Sequence, residues 1–361
     1  MGRARRAADA GRRHTTRSGR SRTSRPVTAA DHGHGTETEQ GIGYRTALAL
    51  GLGLAIAAAA GVGLCARGSL QPLPGQKPEP SHARNAGAVL PFDSGRAFEH
   101  VRQLVAIGPR PAGSPGIEAA RRYIRAQITA IGLSTTERAF EAQTPVGPLT
   151  MVNLSVVVPG ARPERLVIGG HYDTKLFRRF RFVGANDGGS SAALLLELAR
   201  VLKDRRNPFT IELVFFDGEE AVLEWTGTDH TYGSRQYVET ARASATLNTI
   251  GAMLLVDMVG DRNLNIRRES NSTRWLTDII WAAAARLGHG DVFLDEPLAV
   301  EDDHVPFLAA GVAAVDIIDL DYPAWHTADD TLDNVSARSL QTVGDVLLAA
   351  LPQIEAALRK Q

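Results

Sequence analysis

Cysteine is almost absent from this sequence, with one residue among 361. That residue, Cys65, lies in an uncharged stretch near the N-terminus, so no disulfide can form within the chain after it. Any metal site in that later part must therefore use histidine and carboxylate ligands. Lipid attachment at Cys65 is not favoured, because Leu64 before it is larger than the small residue that lipoprotein processing usually requires.

The sequence also lacks a net charge, since 40 Lys and Arg balance 40 Asp and Glu. The overall charge therefore gives no reason to expect nucleic acid as a partner. With 43% hydrophobic and 22% charged residues, the composition is that of an ordinary globular protein. The length is sufficient for one large domain or two small ones.

Large apolar side chains are nearly missing from residues 1–45, which are rich in Arg, Gly, Ser and Thr. Such a segment cannot bury enough apolar surface to fold, so we predict a disordered basic tail. A basic run can bind nucleic acid, but a solvated tail is the more frequent case. The prediction is therefore that no nucleic acid binds.

Charge is absent from residues 46–66, which read TALALGLGLAIAAAAGVGLCA. About 20 apolar residues suffice for a helix to cross a bilayer, so this stretch predicts a single-pass membrane anchor. A cleaved signal peptide and a buried core helix are the alternatives. The preceding arginines predict a cytoplasmic N-terminus and an extracytoplasmic domain, periplasmic or extracellular. Residues 67–91, rich in Pro and Gly, predict a linker before a catalytic domain at 92–361.

The order of helical and strand-like stretches predicts the fold of that domain. Residues 97–107 and 116–132 carry apolar side chains at helical spacing. Short apolar runs then alternate with helical stretches, beginning with NLSVVVPG and RLVIGGHYD and ending with a helix over 336–358. This alternation predicts a single α/β domain with a central mixed, largely parallel sheet flanked by helices.

Acidic and histidine side chains follow the predicted strands. Each has an ordinary alternative: Asp187 as a helix cap, His326 as a surface histidine and Asp257 as a turn former. Because ligands of such folds gather beyond the carboxyl ends of the strands, we expect these side chains to converge there. They are His171 and Asp173 in IGGHYD, Asp187 in FVGANDGGSSA, Glu219 and Glu220 in FFDGEE, Asp257 in LLVDMVGD, and His326 in YPAWHTADD.

The adjacent residues Glu219 and Glu220 follow an apolar run that we expect to be buried. Burying an unpaired carboxylate is costly, and a divalent cation would offset that cost. Imidazole and carboxylate ligands favour zinc with an open coordination position, as in catalytic sites. We therefore predict that Glu220 binds the metal and that Glu219 acts as a general acid or base beside it.

Seven motifs along the chain carry a family resemblance: HYDTKLF, FVGANDGGSSAALLLELARVL, FFDGEEAVLEW, TDHTYGSR, LLVDMVGD, EDDHVPFLAAGV and PAWHTADDTLDN. In this order they resemble the glutaminyl-peptide cyclotransferases of the animal type, which share a fold with the zinc aminopeptidases. The resemblance extends from about Phe92 to the C-terminus. It implies a fold of the zinc aminopeptidase type (phosphorylase/hydrolase-like) and an enzyme that acts on peptide or protein N-termini.

The resemblance also implies a set of zinc ligands. A cyclase of this type would bind one Zn²⁺ through Asp187, Glu220 and His326. The aminopeptidases of the superfamily bind two, with His171 and Asp257 as further ligands and Asp187 as the bridge. All five residues are present, so one zinc is expected and two are the alternative.

Three further residues favour the cyclase. Trp225 and Trp325 match tryptophans that wall its substrate pocket, and Asp302 matches a carboxylate of its proton network. The implied reaction converts N-terminal glutamine to pyroglutamate and releases ammonia. In it Glu219 would move the proton, while Asp257 and Asp302 would hold the tetrahedral intermediate and the amine.

Two positions depart from the cyclase pattern. Asp316 stands where animal cyclases carry histidine, which puts in question the hydrogen bonding behind the site. The helix entry ANDGGSSA is more similar to an aminopeptidase, and its Gly188 and Gly189 could relax the metal loop enough to admit a second ion.

Two other functions fit the same residues. In a zinc aminopeptidase, Glu219 would instead activate a water molecule that attacks the first peptide bond. The other is a non-catalytic ectodomain of this fold. The arginine-rich residues 178–182 could contact acidic substrates, but a solvated loop is the favoured interpretation.

Overall fold

A computed structural model describes residues 90–360 of the chain. The predicted tail (1–45), the predicted anchor (46–66) and nearly all of the predicted linker lie outside the described residues. Among residues 90–360, no helix is both long and apolar enough to cross a bilayer.

The described residues form seven α-helices and eight β-strands. The helices are α1 (Ser94–Ile107), α2 (Pro115–Ala130), α3 (Gly189–Leu202), α4 (Tyr232–Ala243), α5 (Arg274–Arg286), α6 (Val305–Ala309) and α7 (Ala337–Leu358). The strands are β1 (Thr135–Thr144), β2 (Gly147–Val158), β3 (Arg162–His171), β4 (Phe209–Phe216), β5 (Ile250–Asp257), β6 (Ile266–Glu269), β7 (Phe293–Leu298) and β8 (Ala314–Ile318).

Six strands form the central sheet, in the order β1-β2-β4-β3-β5-β8. Strand β2 pairs antiparallel with both β1 and β4, whereas β4, β3, β5 and β8 run parallel to one another. The predicted single α/β domain with a mixed sheet is confirmed. The sequence did not predict the β1–β2 hairpin, because β1 is an edge strand whose side chains are mostly exposed and polar.

Alternating side chains on the inner strands build a core on each face of the sheet. On β3, Leu166 and Ile168 face a large core shared with α1, α2, α3, α5 and α7, whereas Val167 faces a smaller core with α4 and α6. Helix α3 is buried around nearly its whole circumference, because the sheet covers one side and α1 and α7 cover the other. The candidate site at the N-terminal end of α3 is therefore anchored in a deeply buried part of the domain.

A fully buried arginine connects the loops beneath that site. Arg110 lies between α1 and α2, and its guanidinium donates hydrogen bonds to five main-chain carbonyls. Among these are Tyr172 O at 3.1 Å, Val183 O at 2.6 Å and Gly184 O at 2.9 Å. Burial lowers the pKa of Arg110 to about 10, so the side chain stays charged at neutral pH. It thereby ties the end of β3 to the loop that leads into α3.

Replacement of Arg110 by methionine should strongly destabilise the fold. The substitution keeps the side chain long but leaves several buried carbonyls without a donor, so we expect the free energy of unfolding to fall by at least about 3 kcal/mol. Urea denaturation monitored by circular dichroism measures the change. Arg122→Met is the matched control, because Arg122 is largely exposed on α2 and should change stability by less than about 0.5 kcal/mol. Equal effects of the two substitutions would contradict this role for Arg110.

Candidate metal centre

The predicted site residues converge at the carboxyl edge of the parallel strands. His171 ends β3 and Asp257 ends β5, while Glu219 and Glu220 follow β4. Asp187 immediately precedes the two glycines that start α3, and His326 lies in the loop between β8 and α7. Because parallel strands place their carboxyl ends at one edge, residues far apart in sequence meet there.

Five of these residues form two groups that share one carboxylate. In the first, His326 Nε2 lies 3.4 Å from Asp187 Oδ2 and 3.2 Å from Glu220 Oε1. In the second, His171 Nε2 lies 3.2 Å from Asp187 Oδ1 and 3.1 Å from Asp257 Oδ1. Each oxygen of Asp187 thus faces a different imidazole. The ligand atoms of each group lie within 4.8 Å of one another.

These separations match the spacing of ligands around a zinc ion. With bonds of about 2.0–2.1 Å in tetrahedral geometry, ligand atoms lie about 3.3 Å apart. Asp187 Oδ2 is moreover buried and accepts no well-formed hydrogen bond from the described residues. The donor set, two imidazoles and three carboxylates, also suits zinc. The residues present therefore fit the metal at both groups.

Charge pairing between imidazoles and carboxylates dominates the electrostatics of the site. Burial by itself would raise the pKa of Asp187, but the contacts with His171 and His326 outweigh it and hold that pKa below its usual value. Burial would likewise lower the pKa of His326, yet its contacts with Asp187 and Glu220 raise it to about 10. Contact with these carboxylates therefore favours the protonated form of both imidazoles when no metal is bound.

Glu219 belongs to neither group of candidate metal ligands. Its Oε2 lies 3.6 Å from His171 Nδ1, and its side chain lines the cavity above the site. Burial raises the pKa of Glu219 well above its usual value, and the nearby charge of Asp302 adds to the effect. A carboxyl group with a raised pKa beside a metal site is suited to proton transfer.

Two aspartates hold the loops that carry the candidate ligands in place through main-chain hydrogen bonds. Asp173 accepts hydrogen bonds from the backbone N–H groups of Glu219 and Glu220, at 3.2 and 3.3 Å. Asp330 accepts one from Asp187 N at 3.2 Å and one from the preceding residue at 2.8 Å. Sequence reasoning did not identify either role. Asp330 lies four residues after His326 in WHTADD, and that proximity is the one available signal.

The glycines before α3 make the metal loop tight, so the expectation that they relax it is wrong. Gly188 has a φ of +72°, which disfavours other residues, and a Cβ there would lie 2.4 Å from Asp173 O. A Cβ on Gly189 would lie 2.5 Å from Gly184 O. Both glycines allow the loop to pack closely against neighbouring main-chain atoms, and neither leaves space for the loop to move.

A cavity of about 520 Å³ opens above the two groups. Its base is acidic and its walls are largely apolar. Trp225 and Trp325 line the walls, with 37% and 43% of their surface exposed. These tryptophans are therefore not ordinary core residues, although their role in substrate binding stays a prediction. The lining includes Asp187, Glu219, Glu220, Asp257, Asp302 and His326 at the base, and Leu223, Trp225, Met258, Val300, Ile318, Leu320 and Trp325 on the walls.

The wall that carries Trp225 is ordered by two residues that the sequence did not single out. Asp229 accepts backbone hydrogen bonds from three successive residues, Val222 to Glu224, at 2.8 to 3.0 Å. The ring of His230 stacks on Trp225, with centroids 4.3 Å apart and an interplanar angle of 8°. The loop that presents Trp225 is thus fixed from within.

Further buried acidic residues adjoin the site. Asp302 and Asp316 are buried, and burial raises the pKa of each well above its usual value. Neither oxygen of Asp316 makes a hydrogen bond within the described residues, and its nearest basic partner is His304 Nδ1 at 3.6 Å. His304 Nε2 in turn contacts Glu269 at 3.1 Å. An imidazole therefore adjoins position 316, although it comes from a different element.

The zinc-free protein should lose stability as the pH rises. Burial raises the pKa values of Asp217, Asp303 and Asp330 to about 7. A carboxyl group whose pKa is raised by folding stabilises the fold below its unfolded pKa of about 4, and this contribution is lost as the pH rises through the folded value. In the presence of chelator, we therefore expect the midpoint temperature of thermal unfolding to decrease as the pH is raised from about 5 to about 8. Differential scanning fluorimetry at a series of pH values measures this change. Asp303→Asn should reduce the slope, and an unchanged slope would refute its contribution.

Comparison with known proteins agrees with this geometry. The model of peptidase family M28 matches residues 153–351. The glutaminyl-peptide cyclotransferase-like protein of Bos taurus is 31% identical over 313 residues, which cover 78% of this chain and 80% of that protein. The glutaminyl-peptide cyclotransferase of Boiga irregularis is 31% identical over 278 residues, covering 66% of this chain and 75% of that protein.

A solved structure, that of a glutaminyl cyclase from an Acidobacteriales bacterium, is 40% identical with a TM-score of 0.72. It covers 77% of this chain, and the match spans 99% of that structure. The residues that the family model matches, 153–351, include every strand and helix that contributes a candidate ligand. The chain belongs to peptidase family M28, among its glutaminyl-peptide cyclotransferases.

Proposed function

We propose that this protein is a zinc-dependent glutaminyl-peptide cyclotransferase, which converts the N-terminal glutamine of peptides to pyroglutamate with release of ammonia. One observation carries the proposal. Glu219, a buried carboxyl group outside both ligand groups, adjoins the metal-binding residues at the base of a cavity walled by two exposed tryptophans. The relatives named glutaminyl-peptide cyclotransferase support it further.

Zinc would be held by Asp187, Glu220 and His326, with one ion expected per chain. Bound there, it supplies Lewis-acid polarisation of the substrate's γ-carbonyl. Glu220 is steadied for this role by Lys175, whose backbone N–H donates to Glu220 Oε1 at 3.1 Å. Asp173 and Asp330 fix the backbone on both sides of the ligands.

Glu219 would transfer the proton during ring closure. The α-amine nitrogen of the substrate bonds to its own γ-carbonyl carbon, and the bond from that carbon to the amide nitrogen breaks. Glu219 accepts the proton that the amine loses and donates it to the departing nitrogen, so ammonia leaves and no proton is gained or lost overall. The raised pKa of Glu219 favours its return of the proton to the departing nitrogen. Because the nucleophile is intramolecular, the protein needs only to fold the substrate correctly.

Asp257 and Asp302 would hold the amine and the tetrahedral intermediate. Both side chains reach the base of the cavity. Asp257 Oδ1 is oriented by the backbone N–H of Met258 at 2.7 Å and by His171. An acidic base of this kind attracts an α-ammonium group, which a peptide N-terminus has and an internal glutamine lacks.

The alternative function is a zinc aminopeptidase. The observation that favours it is the second group, His171, Asp187 and Asp257, which fits a second ion. With two ions, Glu219 would activate a water molecule for attack on the first peptide bond. The two functions therefore share their site residues and differ in the nucleophile.

Product analysis on the purified full-length protein separates these functions. A synthetic peptide that begins with glutamine should yield ammonia, by a coupled assay, and a pyroglutamyl peptide of the original length by mass spectrometry. Release of free glutamine would instead establish the aminopeptidase. Zinc bound without either product would leave a non-catalytic ectodomain. Elemental analysis of the same sample counts the zinc: one per chain supports the cyclase and two support the aminopeptidase.

Replacement of Glu219 by glutamine should abolish turnover without removing zinc. The amide keeps the shape of the side chain but cannot accept the proton, so we expect kcat to fall by about 10²–10⁴ with the zinc content unchanged. Glu220→Ala is the contrasting variant, since it removes a ligand and should deplete zinc in the same elemental analysis. Normal activity in Glu219→Gln would disprove its role in proton transfer.

A further inference from the structure

The two candidate ligand histidines are supported differently. His171 is fully buried at the end of β3, and both of its ring nitrogens face carboxylates. His326 lies on a loop with a φ of +53°, and 24% of its side chain is exposed. Its Nε2 faces Asp187 and Glu220, but its Nδ1 makes no hydrogen bond to the described part of the chain. A metal-binding histidine is normally oriented by a hydrogen bond at the second nitrogen. A contact other than a hydrogen bond at Nδ1 must therefore orient the His326 ring.

Aromatic side chains surround the His326 ring. Phe177 and Phe182 both meet it edge to face, with centroids at 5.4 and 5.9 Å and interplanar angles of 69° and 88°. Trp325 stacks against it at 4.5 Å. Edge-to-face packing is directional, so it restricts the rotation of the imidazole about its side-chain bonds.

The segment that carries these phenylalanines is itself held at both ends. At its start, Lys175 donates from its backbone to Glu220 and from Nζ to Ala221 O at 2.9 Å. At its end, Arg110 donates to Val183 O at 2.6 Å. Between them Phe182 is buried, and Phe180 stacks on Phe177 with centroids 4.6 Å apart. The arginines of the same segment are exposed, whereas Phe182 is buried and Phe177 and Phe180 are half-buried.

We propose that Phe177 and Phe182 are positioning residues for His326. By fixing the imidazole with Nε2 directed at Asp187 and Glu220, they set the zinc affinity of that group. The inference rests on the proposed function, because it assigns zinc to Asp187, Glu220 and His326. It adds a packing contribution to metal binding at the ligand histidine whose second ring nitrogen makes no hydrogen bond to the described residues.

The test measures zinc affinity directly, without turnover. Purified full-length protein is stripped with chelator, and its zinc dissociation constant is determined by competition with a chromophoric chelator. Phe177→Leu and Phe182→Leu should each weaken zinc binding about tenfold or more, the size of effect seen when the support of a metal ligand is removed. Phe177→Tyr keeps the ring and should restore the wild-type constant.

Phe180→Leu is the matched control. Phe180 stacks on Phe177 and makes no aromatic contact with His326, so its loss should leave zinc affinity within about twofold. Thermal unfolding in chelator should be similar for the Phe177 and Phe180 variants, which separates positioning from general destabilisation. If Phe182→Leu does not fold, the half-buried Phe177 decides alone.

Two results would overturn the inference, and they differ from failure of the proposed function. Phe177→Leu protein with wild-type zinc affinity is one, and equal weakening by Phe180→Leu is the other. If instead the wild-type protein binds no zinc, or binds it equally well after Glu220→Ala, the metal assignment itself is wrong.

Discussion

The arrangement of the site depends on one buried carboxylate that is shared by two imidazoles. Asp187 presents one oxygen to His171 and the other to His326, so the two groups of ligands cannot be positioned independently. The surrounding structure keeps this carboxylate fixed: Asp330 binds its backbone, and Gly188 adopts the left-handed conformation that turns the chain into α3. A small rotation of Asp187 would therefore disturb both groups.

Most of what holds Asp187 comes from loops and not from the sheet. Arg110 joins the loop after α1 to the carbonyls at Tyr172, Val183 and Gly184, and so closes the base on which the metal loop rests. A charged side chain is stable there because carbonyl dipoles replace its hydration. The sheet places the strand-end ligands, and this network of loop contacts sets the distances between them.

The sequence was sufficient to predict which residues converge. Apolar runs that end in His171, in Glu219 and Glu220, and in Asp257 predict parallel strands with polar residues at their carboxyl ends. Because those ends lie at one edge of the sheet, the sequence predicts that these residues meet. The five candidate ligands do meet there, while their roles, like those of Asp302 and the two tryptophans, stay predictions.

Other features had no local signal. Arg110 and Asp330 act through hydrogen bonds to residues far away in sequence, and no spacing pattern reveals such partners. The charge of residues 178–182 predicts a solvated loop. Phe182 is nevertheless buried and meets the ring of His326 edge to face. The hairpin strand β1 was missed because an exposed edge strand has little hydrophobic periodicity.

The acidic base of the cavity also bears on the choice between the two reactions. Five carboxyl groups line it, and a single divalent ion would leave Asp257 outside the ligand set and able to pair with the α-ammonium group of a substrate. The amine would then lie beside Asp257 and lose its proton to Glu219 as the ring closes. A second ion between His171 and Asp257 would occupy that position and neutralise the charge that binds the amine. Because Glu219 would serve as the general base in either reaction, the number of ions bound at the two groups would distinguish them.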